Sequence, residues 1–454
     1  MNAPWQLSAL EASRAMAAGR LTSRALTESL LARIRQLDGK LHVWETLDAE
    51  GALRAAAAAD AAKRRDRTGA LHGIPIGLKD IYYTNGLRTS MSSKVFRDFV
   101  PQYDAAFVER VKAAGAIVLG KTVTTEFATG DPSPTVNPWD HSHTPGGSSS
   151  GSAVGVAVGM MPIASGSQTA GSVVRPAAYN GVVGFKPTYG LVSRYGVFPC
   201  SWTLDTLGWM TRTVADAALV LDVVAGYDQR DPASVRAREP KALAAIESMG
   251  SGYSPRIGLV AGYFSQKSTL EVNEHVLETV ERLKVGGARV EPFELPASFD
   301  GIHEAQVAID YTECSLAHRR TFGAQPDDYA PNIRSRVEVG AVIPASAYVQ
   351  AQRVRRRFRA DMDEALEGFD AIVMPSTPSP AGDTSTTGDP MFQSPWTVAG
   401  LPELTLPSGL SRGGLPIGIQ FVGRGFEDPA VLRVAAWAEA VLGAGPGWPG
   451  EDAA

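Results

Sequence analysis

The chain has 454 residues, with 43 Lys or Arg, 48 Asp or Glu and a formal charge of −5. This nearly balanced charge excludes a basic nucleic-acid-coating protein, and the hydrophobic fraction of 44% excludes a disordered chain. The two cysteines, Cys200 and Cys314, match neither a zinc-ligand spacing nor a disulfide framework. Since we find no signal-peptide pattern and no apolar run of membrane length, we expect a cytoplasmic protein that binds neither nucleic acid nor membranes.

The first 70 residues carry helical patterns, among them a capping box at Ser8 and Glu11 and an apolar helix that begins near Thr22. From residue 71 the pattern changes, because short apolar runs alternate with helical segments. This alternation predicts an α/β core over about residues 70–225, with a buried sheet. The predicted strands of this core are 74–78, 116–119, 161–164 and 182–185.

The second half of the chain returns to alternating strand and helix patterns. Its predicted strands are 256–260, 371–374, 404–406 and 414–422, and its predicted helices are 272–285, 348–366 and 429–442. Residues 299–345 are less regular, and we interpret them as a helical excursion over the active site. The sequence contains neither a fixed-period repeat nor a clear linker, so we predict a single domain spanning residues 1–454.

Three local motif matches fail in their sequence context. Residues 115–122 fit the phosphate-loop pattern, but their middle positions are an apolar strand rather than a flexible cradle. Ser149 is the centre of a G-x-S-x-G pattern, but a polar, proline-containing loop replaces the hydrophobic strand that a nucleophile elbow requires. Residues 140–143 offer His and Asp side chains with no further ligand nearby, which favours a solvated loop over a metal site.

Two Gly/Ser-rich segments and one lysine are the candidates for chemistry. Residues 145–152 form a Gly/Ser loop that runs directly into a small-residue helix, which is not typical of a flexible linker. Residues 166–172 again place small residues around a serine, and unhindered backbone N–H groups can form an oxyanion hole. Lys79 ends an apolar run, where a charged side chain is penalised unless it is paired or neutral.

These segments occur in order with several other short motifs. In chain order, the matching residues are 73–80, 120–122, 126–128, 145–149, 171–172, 181–190, 204–206, 399–402 and 414–420. On these motifs the chain resembles the amidase signature family over most of its length. The resemblance implies the α/β amidase-signature fold, in which a central mixed β-sheet is covered by helices on both faces.

The resemblance also implies a Ser-Ser-Lys triad that uses neither a metal nor another cofactor. Ser172 would be the acyl nucleophile, Ser148 the bridging serine after a cis peptide bond, and Lys79 the base. The implied oxyanion hole consists of the backbone N–H groups of Thr169, Ala170, Gly171 and Ser172. Gln168 and Ala170 depart from the Asp and Gly of many family members. Since an alanine keeps its N–H, we still expect activity.

The role of base that is implied for Lys79 requires its amine to be neutral at working pH. A free lysine has a pKa of about 10.4, so a neutral amine at pH 7 requires surroundings that lower the pKa of Lys79 substantially. Burial within its apolar strand can supply much of this effect. In the implied reaction the proton passes from Ser172 through Ser148 to Lys79, and from there to the leaving amine.

Six further residues are candidates for substrate binding, namely Met91, Phe127, Ser149, Arg175, Cys200 and Trp202. Arg175 either holds its loop in place or binds a substrate carboxylate, and we favour the first role. The segment Phe198–Trp202, together with Phe127 and Met91, indicates an apolar pocket that accepts aryl groups. An ordinary aromatic core is an equally good interpretation of the same residues.

The resemblance predicts a hydrolase of linear amides that acts through an acyl-enzyme on small, apolar or aryl substrates. Esters and carbamates are compatible with the same chemistry. The alternative is the amidase subunit of a tRNA-dependent glutamine amidotransferase complex, but the Gly-Val-Arg-Tyr-Gly-like segment of such subunits is absent between Tyr311 and Tyr348. We therefore rank the hydrolase first, with a small molecule as its substrate, and leave open whether it forms a homodimer.

Overall fold

The computed structural model describes residues 3–62, 69–443 and 445–449. The strands are β1 (Trp44–Leu47), β2 (Pro75–Lys79), β3 (Ile117–Thr122), β4 (Ile163–Gln168), β5 (Val183–Lys186), β6 (Thr206–Thr211), β7 (Arg256–Val260), β8 (Arg289–Phe293), β9 (Ala371–Pro375), β10 (Glu403–Leu410) and β11 (Pro416–Val422). All of them belong to one sheet with the order β1-β3-β2-β4-β6-β5-β10-β11-β9-β7-β8.

The helices are α1 (Ala9–Ala17), α2 (Ser23–Leu41), α3 (Ala49–Ala61), α4 (Ala106–Ala113), α5 (Ser150–Ala157), α6 (Val174–Asn180), α7 (Val214–Val224), α8 (Ala242–Glu247), α9 (Tyr263–Lys267), α10 (Leu270–Val285), α11 (Ile302–Ala324), α12 (Pro331–Val342), α13 (Ala345–Ala365), α14 (Ser394–Ala399) and α15 (Asp428–Leu442). Within the described ranges, none of these helices is both long and apolar enough to cross a membrane.

The sheet is mixed. Strand β2 pairs in parallel with β3 and β4, and β7 pairs in parallel with β8 and β9. The middle of the sheet is antiparallel, through the pairs β4–β6, β6–β5, β5–β10, β10–β11 and β11–β9. Helices flank this sheet, so the prediction of an α/β fold around a central mixed sheet is confirmed.

The central strands are buried along their full length. Every residue of β2, β4, β5, β6, β9 and β11 is buried. Strands with both faces covered become continuous small or apolar runs rather than alternating patterns. The site described below therefore lies in the least solvated part of the sheet.

The small-residue helix α5 packs directly against the sheet because it lacks bulky side chains. A Cβ atom added at Gly151 would lie 2.5 Å from the carbonyl oxygen of Val43, so only glycine fits there. The first turn of α5 is held against β4 by Ser152, whose Oγ donates to the carbonyl oxygen of Ser165 at 2.7 Å. This packing places the residues just before α5 beside β2 and β4.

The two N-terminal helices begin where the capping residues predict. Ser8 Oγ accepts a hydrogen bond from the N–H of Glu11 at 3.1 Å, and the Glu11 carboxylate accepts one from the N–H of Ser8 at 2.9 Å. Thr22 caps α2 by accepting from the N–H of Ala25. Both caps satisfy backbone donors that a helix N-terminus leaves without partners.

The segment 299–345 contains the helices α11 and α12. Helix α11 lies against the loop between β5 and β6, where Ser201 Oγ donates to Glu313 Oε2 at 2.5 Å and Thr203 Oγ1 donates to Glu313 Oε1 at 2.6 Å. Helix α12 is tied to the loop before α5, because Asp131 accepts from the N–H groups of Asn332 and Ile333. These contacts join the segment to two loops of the core.

The phosphate-loop match over residues 115–122 is part of a strand, as its apolar residues indicate. Strand β3 contains Lys121 itself, whose side chain is fully buried. Its Nζ atom donates to the Tyr82 carbonyl oxygen at 2.5 Å and to Thr89 Oγ1 at 2.7 Å, and it lies 3.4 Å from Asp80 Oδ1. The lysine thus joins neighbouring parts of the core.

Candidate active site

Lys79 occupies the last position of β2, in the middle of the sheet. Its Nζ atom is 2.7 Å from Ser148 Oγ and 2.9 Å from Ser167 Oγ. The backbone N–H of Lys79 donates to Ser165 Oγ at 2.9 Å, which fixes the strand end against β4. Three hydroxyl groups therefore surround a lysine that is 0% exposed.

The electrostatic surroundings of Lys79 favour the neutral amine. Burial is the main effect, and it lowers the pKa of Lys79 from 10.5 to about 7, against smaller opposing effects of Asp205 and Cys200. Among the described residues, no carboxylate lies within salt-bridge distance of Nζ. A neutral amine 2.7 Å from a hydroxyl group can accept its proton near neutral pH.

Ser148 is held through its backbone as well as its side chain. The Gly147–Ser148 peptide bond is cis. The Ser148 carbonyl oxygen accepts from the N–H of Thr125 at 3.1 Å and from Thr124 Oγ1 at 3.0 Å. On the other side of the cis bond, the Gly147 carbonyl oxygen accepts from Arg175 Nη2 at 2.7 Å. These contacts fix the loop from both sides of the serine.

Ser172 lies in a tight turn between β4 and α6, which we call the nucleophile turn (residues 168–174). It is half-buried and lines a cavity. Gln168 Oε1 accepts from the N–H groups of Val173 and Val174 at 2.9 and 3.0 Å, which anchors the turn directly after Ser172. No described residue accepts a hydrogen bond from the N–H groups at positions 170–172, so these donors are available to a ligand.

A second set of contacts holds the nucleophile turn from the C-terminal half of the chain. Thr397 Oγ1, on α14, donates to the Ala170 carbonyl oxygen at 2.8 Å. Gln168 Nε2 donates to Thr397 Oγ1 at 3.0 Å and also to Glu403 Oε1. Burial raises the pKa of Glu403 to about 8. Gln168 departs from the family pattern, and both the oxygen and the nitrogen of its side-chain amide are hydrogen-bonded.

Asp205 supports the other side of the nucleophile turn. It accepts from Thr169 Oγ1 at 2.6 Å and from the N–H groups of Cys200 and Ser201 at 2.8 and 2.9 Å. Burial raises the pKa of Asp205 to about 6, while these hydrogen bonds act in the opposite direction. Through these contacts Asp205 ties the turn to the loop between β5 and β6.

Two cavities open beside the nucleophile turn, and Ala128 and Thr169 line both. The first cavity has a volume of about 180 Å³ and a mostly apolar wall that includes Val197, Phe198 and Leu207. The second cavity, of about 390 Å³, is lined by polar residues, among them Ser172, Arg175, Asp310, Tyr311 and Arg336. Ser172 itself lines only the second cavity, and the first cavity reaches the nucleophile turn at Thr169.

The predicted substrate-binding residues fall into three groups. Cys200 and Trp202 line the first cavity, and Trp202 is 38% exposed at its rim. Arg175 lines the second cavity, although its hydrogen bond to the Gly147 carbonyl oxygen holds the loop around Ser148.

Met91 and Phe127 line neither cavity. Both are buried in the core, where Phe127 stacks on Phe198 and Tyr329. Ser149 is buried beside the site, and its Oγ accepts from the N–H of Ser167 at 3.4 Å. Met91 and Phe127 therefore lie in the core rather than in the wall of either cavity.

Sequence reasoning missed several residues of the site. Ser167 lies within the predicted small-residue segment 166–172 and could have been selected as a second hydroxyl partner of Lys79. Asp205 lies in a predicted motif, but nothing in the sequence connects it to Thr169. Asp310 and Arg336 belong to the less regular segment 299–345, where their ion pair, at 3.1 Å, shows only in the fold.

Among residues 3–62, 69–443 and 445–449, no group of three or more His, Cys, Asp or Glu side chains is arranged to hold a metal ion. In the 140–143 loop, His143 Nδ1 lies 3.2 Å from Asp140 Oδ2, and Ser142 Oγ donates to Asp140 Oδ1 at 2.7 Å. The loop residues bond with one another at the surface.

The residues of the candidate site lie within one matched segment, because the family model described as Amidase matches residues 25–432. The chain belongs to the amidase family. It is therefore an enzyme of a family that hydrolyses C–N bonds, and the family resemblance deduced from the sequence motifs is confirmed.

Individual relatives cover nearly the whole amidase chain. A glutamyl-tRNA(Gln) amidotransferase subunit of Chromohalobacter salexigens is 36% identical over 464 residues, which cover 94% of each chain. The solved peptide amidase of Stenotrophomonas maltophilia is 32% identical with a TM-score of 0.86, covering 98% of this chain and 99% of the other. The solved glutamyl-tRNA(Gln) amidotransferase subunit of Thermotoga maritima is 31% identical with a TM-score of 0.79, covering 96% and 94%.

Proposed function

We propose that this amidase hydrolyses carboxamides through an acyl-enzyme formed on Ser172. The observation that carries the proposal is the 2.7 Å contact between Lys79 Nζ and Ser148 Oγ, deep in the sheet and beside the nucleophile turn. A buried amine with a pKa near 7 is a base matched to neutral pH. The available N–H groups of the nucleophile turn are the donors that a developing oxyanion requires.

The proposed reaction uses the three residues in sequence. Ser172 Oγ attacks the carbonyl carbon, while its proton moves to Ser148 Oγ and the Ser148 proton moves to Lys79 Nζ. The N–H groups of residues 169–172 stabilise the oxyanion. Lys79 then returns its proton through Ser148 to the leaving amine, and water cleaves the acyl-enzyme by the reverse path. Esters and carbamates are further substrates for the same acylation step.

Two functions are compatible with this chemistry, namely that of an amidotransferase subunit and that of a free-standing hydrolase, and different observations support each. The similarity to the Chromohalobacter salexigens protein supports an amidase subunit that releases ammonia from glutamine within a tRNA-dependent amidotransferase. This comparison favours the alternative over the free-standing hydrolase ranked first from the sequence. The apolar wall of the first cavity supports a free-standing hydrolase of small apolar or aryl amides, because the two methylene groups of glutamine would fill only part of that space.

A substrate survey with the purified chain tests the proposal. The set contains glutamine, aryl amides, p-nitroanilides, aryl esters and aryl carbamates, and release of ammonia, amine or phenol is measured. We expect hydrolysis of at least one amide, and its loss in Ser172→Ala. Ammonia release from glutamine that requires added partner subunits would support the amidotransferase role. Amide hydrolysis that persists in Ser172→Ala would contradict the acyl-enzyme proposal.

A further inference from the structure

Gln168 begins the nucleophile turn, and its side-chain amide can support the turn in only one of two orientations. The backbone N–H groups of Val173 and Val174 can only donate, so the amide must present its oxygen to them. The opposite orientation would place the NH2 group of the amide against these two donors. The Asp that many family members have at this position carries two equivalent oxygens, so it needs no such orientation. A chain with glutamine here therefore needs a second contact that holds the amide.

Glu403, the first residue of β10, provides this contact. Gln168 Nε2 donates to Glu403 Oε1 and also to Thr397 Oγ1, the latter at 3.0 Å. The Thr397 hydroxyl in turn donates to the Ala170 carbonyl oxygen at 2.8 Å. Glu403 Oε1 can accept in both protonation states, because a neutral carboxyl group can carry its proton on Oε2. These hydrogen bonds connect β10 with the backbone on both sides of Ser172.

The buried position of Glu403 is costly for stability. Glu403 and Gln168 are both fully buried, and Glu403 lies opposite Lys186 in the pairing of β10 with β5. Burial raises the pKa of Glu403 to about 8, although the positive charge of Lys186 acts in the opposite direction. An apolar residue usually stabilises such a position better than a buried carboxyl group does. We attribute the presence of this carboxyl group to the amide that it holds.

We propose that Glu403 is a positioning residue for the reaction at Ser172. By accepting from Gln168 Nε2, it holds the amide whose oxygen anchors the turn directly after Ser172, and it thereby keeps Ser172 and the oxyanion donors in place. Glu403 lines neither of the two cavities, so it acts through Gln168 rather than on the substrate. This role rests on the proposed function, since it takes Ser172 as the nucleophile.

Loss of this contact should slow the chemical step rather than weaken ligand binding. The oxyanion donors act mainly in the transition state, so their displacement affects the rate more than the affinity. The variant Glu403→Met removes the acceptor and keeps an unbranched side chain of similar length. The Gln168 amide then lacks one of its partners and can move away from the N–H groups that it anchors. We expect this variant to react about tenfold more slowly at Ser172.

The rate of fluorophosphonate labelling at Ser172 measures this effect independently of the substrate. The probe forms an adduct on the nucleophile, and its phosphoryl oxygen takes the place of the oxyanion. We expect the maximum labelling rate of Glu403→Met to be about tenfold below that of the wild-type protein, at an unchanged half-saturating probe concentration. Wild-type labelling rates in folded Glu403→Met would overturn the role of Glu403. Absence of a Ser172 adduct in the wild-type protein would instead contradict the proposed function, and this role with it.

Two matched variants control for the loss of a buried polar group. Glu403→Gln keeps the size of the side chain and an acceptor oxygen, so its labelling rate should stay within about threefold of the wild-type rate. Thr405→Val removes another buried polar group from the same face of β10, where the hydroxyl lies 2.7 Å from Ser376 Oγ. Its labelling rate should not change. An equal loss in Thr405→Val, or a loss in Glu403→Gln as large as that in Glu403→Met, would overturn the proposal.

Double variants test whether Glu403 acts through Gln168, with melting temperatures to identify the folded proteins. Gln168→Met should lower the labelling rate by itself, and adding Glu403→Met should then cause no further loss. A full second loss would overturn the proposal. The reversed pair, Gln168→Glu with Glu403→Gln, again bonds an amide to a carboxyl group, so it decides the question if Glu403→Met does not fold. We expect the reversed pair to label within about fivefold of the wild-type rate. A rate as low as that of Gln168→Met, or a reversed pair that does not fold, would overturn the proposal.

Discussion

Lys79 is a buried amine whose neighbours are hydroxyl groups rather than carboxylates. Its Nζ contacts Ser148 and Ser167, and Ser167 lies 88 residues away on a neighbouring strand. Lysines are almost never fully buried without a charged partner, because removing a cation from water is costly. An arrangement that leaves the amine without a carboxylate favours its neutral form, which is the form that a base requires.

The pH dependence of activity follows from this residue. Since the pKa of Lys79 is lowered to about 7, the fraction of neutral amine rises as the pH increases through that value. We expect kcat/KM to increase with pH along an acid limb with its midpoint near 7, measured with a substrate that does not itself titrate.

The variant Lys79→Glu tests whether the titration of residue 79 itself sets the acid limb of the pH profile. A carboxylate with a free pKa of about 4.3 deprotonates earlier than the amine, so weak residual activity should have its acid limb at lower pH. Lys79→Ala is less informative, because it removes base and charge together. An acid limb that stays in place in an active Lys79→Glu protein would show that another group controls the profile.

At the level of single residues, the sequence could identify only part of this site. Lys79, Ser148 and Ser172 lie in recognisable motifs, so the resemblance was enough to select them. Ser167 and Asp205 depend on contacts between separate strands and loops, which local patterns do not contain. Phe127 lies within the motif 126–128 and Met91 lies between two motifs, and the sequence does not distinguish a residue of a cavity wall from a residue of the core.

At the level of elements, buried apolar strands were the easiest to predict. The predicted strand 256–260 coincides with β7, and the predicted helix 429–442 differs from α15 by one residue. Strand β8 was missed because it is an edge strand with exposed, charged positions and a proline. Strand β6 was missed because its threonines and glycine give no apolar run, and its pairing with β4 and β5 determines its conformation.

Helix α14 contributes a testable contact to the nucleophile turn. Thr397 Oγ1 donates to the Ala170 carbonyl oxygen at 2.8 Å. We expect Thr397→Val to lower kcat about tenfold, equivalent to about 1.4 kcal/mol, because the turn loses a restraint beside the oxyanion donors. Steady-state kinetics on the variant measure this effect.

The matched control is Thr397→Ser, which keeps the hydroxyl group and removes only a methyl group. Its kcat should stay close to that of the wild-type protein. If Thr397→Val also retains full kcat, the contact does not position the turn, and the support comes from Gln168 and Asp205 instead.

At the level of the whole molecule, the C-terminal third contributes strands β9, β10 and β11 to the sheet. It also contributes Arg336 to the second cavity and Thr397 to the support of the nucleophile turn. Strand β10 inserts between β5 and β11, and residues 240 apart are joined where Asp428 accepts from the N–H and hydroxyl groups of Thr188. The second cavity lies where α11 and α12 meet the core. Long-range contacts of this kind could not be predicted from local sequence patterns.

The Asp428–Thr188 contact should contribute to stability across the whole chain. The carboxylate is fully buried, and its removal leaves two buried donors without a partner. We expect Asp428→Ala to lower the free energy of unfolding by about 2 to 4 kcal/mol, measured by denaturant titration. The control is Asp327→Ala, whose carboxylate is 95% exposed in its pair with Arg334 and should contribute less than about 1 kcal/mol. Equal losses in the two variants would contradict this account.

The central claim is that Ser172 forms the covalent intermediate, and active-site labelling tests it most directly. A fluorophosphonate probe reacts with an activated serine, and peptide mass spectrometry locates the adduct. We predict a single adduct at Ser172, which is lost in Ser172→Ala and retained in Ser149→Ala, the matched control one residue after the bridging serine. Undiminished labelling of Ser172→Ala, with the adduct at Ser148 or Ser149, would contradict the assignment of Ser172 as the nucleophile.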